Sequence, residues 1–345
     1  MNLKSILNRM LSKIDPSYDT NKGSFFYDLL TPVAIEIQNI IEKINEVLNR
    51  RFVATSSGDD LTANCAEMGI DRKAATYSNG YVIVKGSPGS IVAQGEKVSS
   101  DLINFIFTES KEIGSTGEVK VSVKCEFSGS IGNVPAGSIK SFPKTLSGLN
   151  EVNNPEGMIG GYDQESDEDL KERYYIAVRT PSTSGNKFQY QSWALSCSGT
   201  GGARVVPLWA GKGTVKVIII NADKVGADEQ LTKTVATYIE EVRPIGADVT
   251  VVSATEKKIN ISVKIAADID NFTVDTAKEN VTKNISNYLK EMAFKRSYVS
   301  YAKIGALILD SEGVIDYSNL KVNGSAENIV VADDEVAVIG VVTYE

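Results

Sequence analysis

The chain has 345 residues, with 36 lysines and arginines against 44 aspartates and glutamates, a formal net charge of −8 and no histidine. The missing histidine excludes Ser/His/Asp and Cys/His catalysis, imidazole zinc sites and histidine pH switches. The acidic balance argues against nucleic acid as a partner, because phosphate binding favours a basic surface. The length allows two to four domains, each with its own core.

The cysteines and the hydropathy pattern indicate a reducing compartment. Cys65, Cys125 and Cys197 are widely spaced and odd in number, which predicts buried thiols and neither a zinc ribbon nor a disulfide framework. The N-terminus lacks an apolar signal-peptide core, and no apolar run reaches the roughly 20 residues that a membrane helix needs. We therefore expect synthesis in a cytosol and no membrane partner.

Residues 1–75 carry a helical pattern. A first amphipathic run is followed by a second from Phe25, in which Thr31 and Pro32 are placed to start or kink a further segment as N-cap and N1. Steps of four and three then define a coiled-coil seam. Its members are Val33, Ile37, Ile40, Ile44 and Val47. The seam could pack on its own domain, but little else nearby could cover it, so an intermolecular helical bundle is favoured.

Residues 76–155 change to a period of two. Strands are predicted at 81–85, 105–108 and 119–127, with glycines as turns between them. The last strand alternates strictly, and its apolar face consists of Val119, Val121, Val123, Cys125 and Phe127. This pattern predicts a small antiparallel β domain.

Residues 156–255 and 256–345 each combine helices with strands. In the first, a hairpin of 203–209 and 214–221 precedes a helix at 228–242. A helix followed by two strands occurs in both, and no long parallel β-α-β series appears. The predicted fold class is therefore a multidomain α+β chain: an N-terminal helical segment, a small antiparallel β domain and two tandem small α/β sandwich domains.

The stretch 160–199, called here the signature segment, has the densest local pattern. It has two glycines, an acidic cluster and two helical runs separated by a Pro-Ser-Thr-Ser-Gly break. Ser166, followed three residues later by Asp169, predicts the N-cap of the first helix. The residues singled out are Gly160, Gly161, Asp163, Glu165, Ser166, Asp169 and Arg173.

The acidic cluster at 163–169 has two interpretations. Negative charge at a helix start is stabilised by the helix dipole, and i,i+4 pairs of Asp167 with Lys171 and of Asp169 with Arg173 would support that helix. Alternatively, the carboxylates could hold a hard metal ion in a carboxylate-dependent hydrolase, although the glycine and frame of a calcium loop are missing. Helix-start charge is favoured, so we expect no metal, no cofactor and no catalytic residue.

Tyr190 and Trp193 lie three residues apart, on one face of the second helical run. They could form an exposed binding pair, because aromatic rings supply large contact areas. An anchor in the core or between domains is favoured, since large aromatic side chains dominate cores.

Further motifs extend this pattern over nearly the whole chain. They are GSFFYDLLTPVAIEI at 23–37, MGIDRKAATYSNGYVIVKG at 68–86, GNVPAGSI at 132–139, NNPEGMIGG at 153–161 and RPIGADVTV at 243–251. Together with the signature segment, and in this order, they resemble the baseplate J family of contractile phage tails and related injection particles. One departure is Thr200, where the family tends to have a hydrophobic residue.

The resemblance implies a structural wedge protein of the inner baseplate, linking the base of the sheath and tube to the rest of the baseplate. Expected partners are a second copy and another wedge protein through the N-terminal helices, a sheath-initiator-type protein and neighbouring wedges. We expect synthesis in the bacterial cytoplasm and assembly into the baseplate of a phage or phage-tail-like particle. Segments 153–161 and 253–257 are expected to act as hinges when the sheath contracts.

Overall fold

A computed structural model of the chain describes residues 2–101, 103–180 and 182–345. They form two compact units. The first consists of the residues up to Arg72 together with Ser166–Tyr174, and the second of Lys73–Glu165 together with Tyr175–Glu345. Helices and several separate sheets make this a mixed α+β protein, as predicted. Pro181, in the predicted break of the signature segment, lies outside the described residues.

The N-terminal part of the first unit is helical. Its helices are α1 (Leu3–Leu11), α2 (Phe25–Arg51) and α3 (Gly58–Ala66). The apolar face of α1 packs on α2, where Ile6 and Leu7 bury against Ala34. Because α1 is only 9 residues long, it covers only the N-terminal half of the 27-residue α2.

The predicted start of a new helix at Thr31 and Pro32 is wrong, because α2 runs through both residues without a break. The alternative of a kink there stays a prediction. Ser24 is the N-cap and its Oγ accepts the N–H of Tyr27 at 3.3 Å. Thr31 is an interior residue whose hydroxyl donates to the Tyr27 carbonyl at 2.6 Å. Pro32 removes one N–H from the helix interior, which costs about 3 kcal/mol or more, yet the helix continues to Arg51.

The second unit begins with an antiparallel β structure, as predicted. Its strands are β1 (Tyr77–Gly86), β2 (Ile91–Val92), β3 (Lys97–Ser100), β4 (Ile103–Phe107), β5 (Lys111–Glu112), β6 (Glu118–Ser128) and β7 (Leu149–Asn153). Five of them form one sheet in the order β3-β4-β6-β1-β7, and β2 pairs with β5. Phe105 and Phe107 fill the core. Phe127 departs from the prediction. It continues the alternation of β6 beyond the last buried residue of that face, Cys125, and is 58% exposed.

The segment after β7 is firmly fixed. Asn154 is fully buried; its side-chain amide donates to the carbonyls of Pro135 and Glu156, both at 2.9 Å, and its oxygen accepts the N–H of Ile139 at 2.8 Å. Met158 is buried in the core of the β structure. These contacts argue against 153–161 as a hinge, because a hinge residue must be free to change its backbone angles.

A second sheet follows two helices. The elements are α4 (Asp167–Arg179), α5 (Lys187–Ser196), β8 (Thr200–Pro207), β9 (Thr214–Asn221), α6 (Glu229–Val242) and β10 (Asp248–Ser253). The sheet order is β10-β9-β8; β8 and β9 form the predicted antiparallel hairpin, and β10 is parallel to β9. Leu231, Val235 and Ile239 of α6 are buried in a core with Val217 and Ile219.

The C-terminal residues form a third sheet with helices on it. The elements are β11 (Thr255–Ala267), α7 (Val274–Met292), β12 (Tyr298–Val299), α8 (Tyr301–Leu309), β13 (Val314–Val322), β14 (Ile329–Val330) and β15 (Glu335–Tyr344). The sheet order is β13-β11-β15, with β11 parallel to β15. Ala254 is buried between β10 and β11 in a cluster that includes Ile218 and Val336, which argues against a hinge at 253–257.

We expect Asn154→Ala to destabilise the β structure by about 3 kcal/mol, because it leaves the buried N–H of Ile139 without its acceptor and removes the hydrogen bonds to the carbonyls of Pro135 and Glu156. Hydrogen exchange along a urea series, followed on peptides from β1 and β6, measures this. Asn150→Ala removes the same side chain from an exposed position on β7 and is the matched control. Equal stability of the two variants would contradict the role given to Asn154.

Candidate functional site

The glycine pair of the signature segment allows a close backbone approach. Gly160 has a φ of +84°, a conformation that favours glycine. A Cβ atom on Gly161 would lie 2.4 Å from the carbonyl oxygen of Gly129. The Asn133 side chain bonds both polar backbone groups of Gly161, donating to its carbonyl at 2.7 Å and accepting its N–H at 3.0 Å. The two glycines are therefore packing requirements of the second unit.

The first acid of the cluster binds the loop after β6. Asp163 accepts the backbone N–H of Ser130 at 2.8 Å and the Ser130 hydroxyl at 2.9 Å. The Asp163 carboxylate therefore accepts two hydrogen bonds from the protein itself.

Glu165 forms a buried ion pair with Lys73. Its side chain is almost completely buried, the Lys73 Nζ lies 3.8 Å from Oε1, and the Lys73 N–H donates to Oε2 at 3.1 Å. The same ammonium donates to the carbonyls of Leu195 at 3.1 Å and of Thr200 at 2.7 Å. Thr200, the departure from the family pattern, thus contributes its backbone carbonyl, while its hydroxyl is buried and has no hydrogen-bond partner among the described residues.

Lys73 is the residue that sequence reasoning missed. It stands in the quoted motif at 68–86, beside Arg72, but its importance depends on a partner 92 residues away. No local periodicity marks such a pair.

Asp167 is used within the first unit. It accepts the N–H of Gly58 at 2.9 Å and pairs with the Arg72 guanidinium at 2.6 Å. The hydrogen bond from the Gly58 N–H lowers the pKa of Asp167 most, and the hydrogen bond from Arg72 lowers it next. The predicted i,i+4 pair with Lys171 is therefore not the main contact, because the more buried Arg72 takes the carboxylate and Lys171 contributes least.

Ser166 has the geometry of an N-cap. Its Oγ accepts the N–H of Asp169 at 3.1 Å, and its hydroxyl lies 3.0 Å from the Asp169 carboxylate. Arg173 donates to the carbonyl of Asp71 at 2.5 Å.

These contacts give the acidic cluster a structural explanation. Asp163, Glu165 and Asp167 each bind a different segment of chain. Among the described residues, no group of three or more His, Cys, Asp or Glu side chains is placed to hold a metal ion.

Tyr190 and Trp193 stack edge to face in the core of the second sheet. Their ring centroids are 5.1 Å apart with an interplanar angle of 86°. Tyr190 is only 2% exposed, and burial raises its pKa. Trp193 is partly buried against the same core. The pair anchors α5 to the sheet, and Tyr190 has no open face for a ligand.

The apolar seam of α2 is divided between two roles. Ile37 packs with α1, so it leaves the predicted seam. The remaining members stay exposed, at 46% for Val33, 57% for Ile40, 53% for Ile44 and 63% for Val47. From Glu42 to Arg51 every residue of α2 is exposed. The exposed face of α2, as we call these four residues, is a continuous apolar stripe that no described residue of the first unit covers.

No helix among the residues in the three described ranges is long and apolar enough to cross a bilayer.

We expect Lys73→Met to destabilise the second unit by about 3–5 kcal/mol, because it leaves the Glu165 carboxylate buried without its cation. The matched control is Lys85→Met, which breaks the exposed pair with Glu151 and should change stability by less than about 1 kcal/mol. Urea unfolding followed by tryptophan fluorescence measures both, since Trp193 lies near the site. Similar values for the two variants would contradict the assigned role of Lys73.

Comparison with protein families gives three matches in chain order. Residues 81–161 match the Baseplate J-like protein barrel domain, 182–253 the Baseplate J-like central domain, and 259–345 the Baseplate J-like protein C-terminal domain. The first corresponds to the antiparallel β structure, the second to the sheet with α5 and α6, and the third to the sheet with α7 and α8.

Individual relatives agree with these matches. The Phage-like element PBSX protein XkdT of Bacillus subtilis is 33% identical over 98% of this chain and 95% of its own length. Baseplate protein gp47 of Escherichia phage Mu is 26% identical over 65% of this chain and 66% of its own length. Among solved structures, a chain of the anti-feeding prophage baseplate matches with a TM-score of 0.43 and 11% identity, covering 98% of this chain and 89% of that one. By its relatives and its three domain matches, the chain belongs to the baseplate J-like protein family.

Proposed function

We propose that this chain is a structural wedge component of a contractile-tail baseplate, joining the base of the sheath and tube to the rest of the baseplate. Its partners would be a second copy and another wedge protein, met through the exposed face of α2, together with a sheath-initiator-type protein and neighbouring wedges. The proposal includes a rearrangement on contraction, without the hinges at 153–161 and 253–257.

The observation that carries the proposal is the uncovered C-terminal half of α2. An isolated helix shorter than about 15 residues is marginal in water, since most helical stability comes from packing an apolar face. Ile40, Ile44 and Val47 present such a face to solvent. Contiguous exposed apolar surface of this kind marks interaction sites. A helix from another chain, laid along this stripe, would bury it.

The flanking charges fit a helical partner. Glu36 and Lys43 border the stripe, and Lys43 pairs with Glu46 at 2.8 Å on the exposed side of the helix. An apolar stripe with mixed charges on its rim is the pattern of a coiled-coil seam, where the charges select partner and orientation.

A structural role also agrees with the chemistry of the signature segment. The carboxylates of Asp163, Glu165 and Asp167 are bound by protein donors. None of these three carboxylates is therefore left to act as a base or metal ligand. The name of the phage Mu relative, a baseplate protein, supports the same conclusion. The alternative, a metal-dependent hydrolase, is supported by no observation of this kind.

We expect Ile44→Asp to weaken association about tenfold or more, because a carboxylate would be desolvated in the helical contact. Two differently tagged copies of the chain, co-expressed with the neighbouring tail genes, are purified through one tag, and recovery of the second copy and the wedge partner is measured. Asn45→Asp adds the same charge at the adjacent polar position and is the control.

Ile37→Asp provides an internal contrast. It disrupts packing between α1 and α2, so it should lower the stability of the isolated chain, whereas Ile44→Asp should not. If the Ile44→Asp variant keeps its fold and associates as strongly as the wild type, the contact proposed for the exposed face of α2 is wrong.

We expect isothermal titration calorimetry with Ca²⁺, Mg²⁺ and Mn²⁺ to give no saturable binding, because protein donors bind the carboxylates of Asp163, Glu165 and Asp167. Saturable binding that disappears in Asp163→Ala and Asp167→Ala variants would instead support the hydrolase.

A further inference from the structure

One edge of the second sheet is open. On its inner side β10 pairs with β9. The N–H of Asp248 donates to the carbonyl of Gly213 at 2.8 Å, and the N–H of Ala254 donates to the carbonyl of Ile219 at 2.9 Å. Because N–H and C=O groups alternate sides along a strand, Thr250 and Val252 face the same way. The backbone groups of Val249, Val251 and Ser253 therefore point outward. Among the described residues β10 pairs with no strand other than β9.

Both ends of this edge are closed by the protein itself. At one end, Arg243 donates to the outward carbonyl of Ala247 at 2.5 Å. At the other, the N–H of Thr255 donates to the carbonyl of Asp334 at 2.9 Å. The part of the edge that another strand could pair with is thus limited to the six residues of β10. The closed ends restrict the register in which such a strand could pair. We call it the open edge (Asp248–Ser253).

The opposite edge of the same sheet is protected. On β8, the carbonyl of Gly201 accepts Lys224 Nζ at 2.7 Å, and the carbonyl of Ala203 accepts Gln191 Nε2 at 3.0 Å. Natural sheets block unused edges with such groups, with lysine, with proline or with bulges. The open edge, with the sequence DVTVVS, has none of these and is rich in β-branched residues that favour strands.

Charge selects the partner. Asp248 and Asp334 are exposed at opposite ends of the open edge, and neither forms a salt bridge among the described residues. The Arg243 guanidinium near Asp248 is paired with Glu240 at 2.6 Å, so this end keeps a net negative charge. In an antiparallel pair centred on Val251 of two copies, Asp248 of each would approach Asp334 of the other, placing like charges together twice. Like charges placed opposite each other destabilise strand pairs. A strand with a basic residue at each end would instead meet a carboxylate at both ends.

We propose that the open edge binds an extended segment of a different protein chain, with β-branched residues at its centre and a lysine or arginine at each end, as a fourth strand of the sheet. Its main-chain groups pair with Val249, Val251 and Ser253, as in strand addition to other sheet edges. Its side chains alternate between the face of Val249 and Val251, next to α6, and the face of Thr250. This contact does not depend on the helical contact proposed for α2.

The test uses the full chain and a labelled synthetic peptide, Lys-Thr-Val-Thr-Val-Thr-Lys with blocked termini, in fluorescence anisotropy titrations. We expect saturable binding to the wild-type chain and binding at least about tenfold weaker for the same peptide with glutamate at both ends. Val251→Pro removes an outward N–H that β9 does not use, so the fold should survive while binding weakens about tenfold or more. Val251→Thr keeps the N–H and is the matched control.

Hydrogen exchange on the wild-type chain gives a second measurement that does not depend on any variant folding. The amides of Val249, Val251 and Ser253 should be slowed by the lysine peptide, and those of Thr250 and Val252 should not change. Absence of saturable binding, equal binding to Val251→Pro, or slowing without this alternation would overturn the proposal. A change in the sedimentation mass of the chain alone caused by Val251→Pro would also overturn it, in favour of a second copy.

Discussion

The buried ion pair of Lys73 and Glu165 is the constraint on which the arrangement of the second unit depends. Removing two charges from water is costly, and the cost is repaid only when both partners and their remaining hydrogen bonds are in place. Lys73 meets this condition with one carboxylate and two carbonyls, those of Leu195 and Thr200. One side chain thus fixes the start of the β structure, the end of α5 and the first residue of β8 relative to one another.

The same logic explains why acids alternate along the signature segment. Asp163, Glu165 and Asp167 are spaced by two, and each meets donors from another part of the chain. A metal site would require free carboxylates, whereas each of these is bound by donors from a different part of the chain. An acidic motif can therefore be diagnostic of a family while its carboxylates serve as acceptors for protein donors.

Periodic elements could be predicted from sequence, and long-range partners could not. The helix at 228–242, the hairpin and the strand β6 follow from burial on one face, which repeats locally in sequence. Lys73 and the pairing of Arg72 with Asp167 depend on which distant segments meet, and local spacing has no information on that. Phe127 shows the limit of periodicity, since the alternation continues past the end of the core that it serves.

The seam of α2 was predictable as an apolar stripe, but its division was not. How much of it stays exposed depends on the length of α1, which covers Ala34 and Ile37 and ends before Ile44. This has a consequence for the life of the protein in the cell. An uncovered helical end opens readily, and proteases cut opened backbone. If the proposed helical contact forms, this end is open to proteases in a copy without a partner and covered in an assembled one.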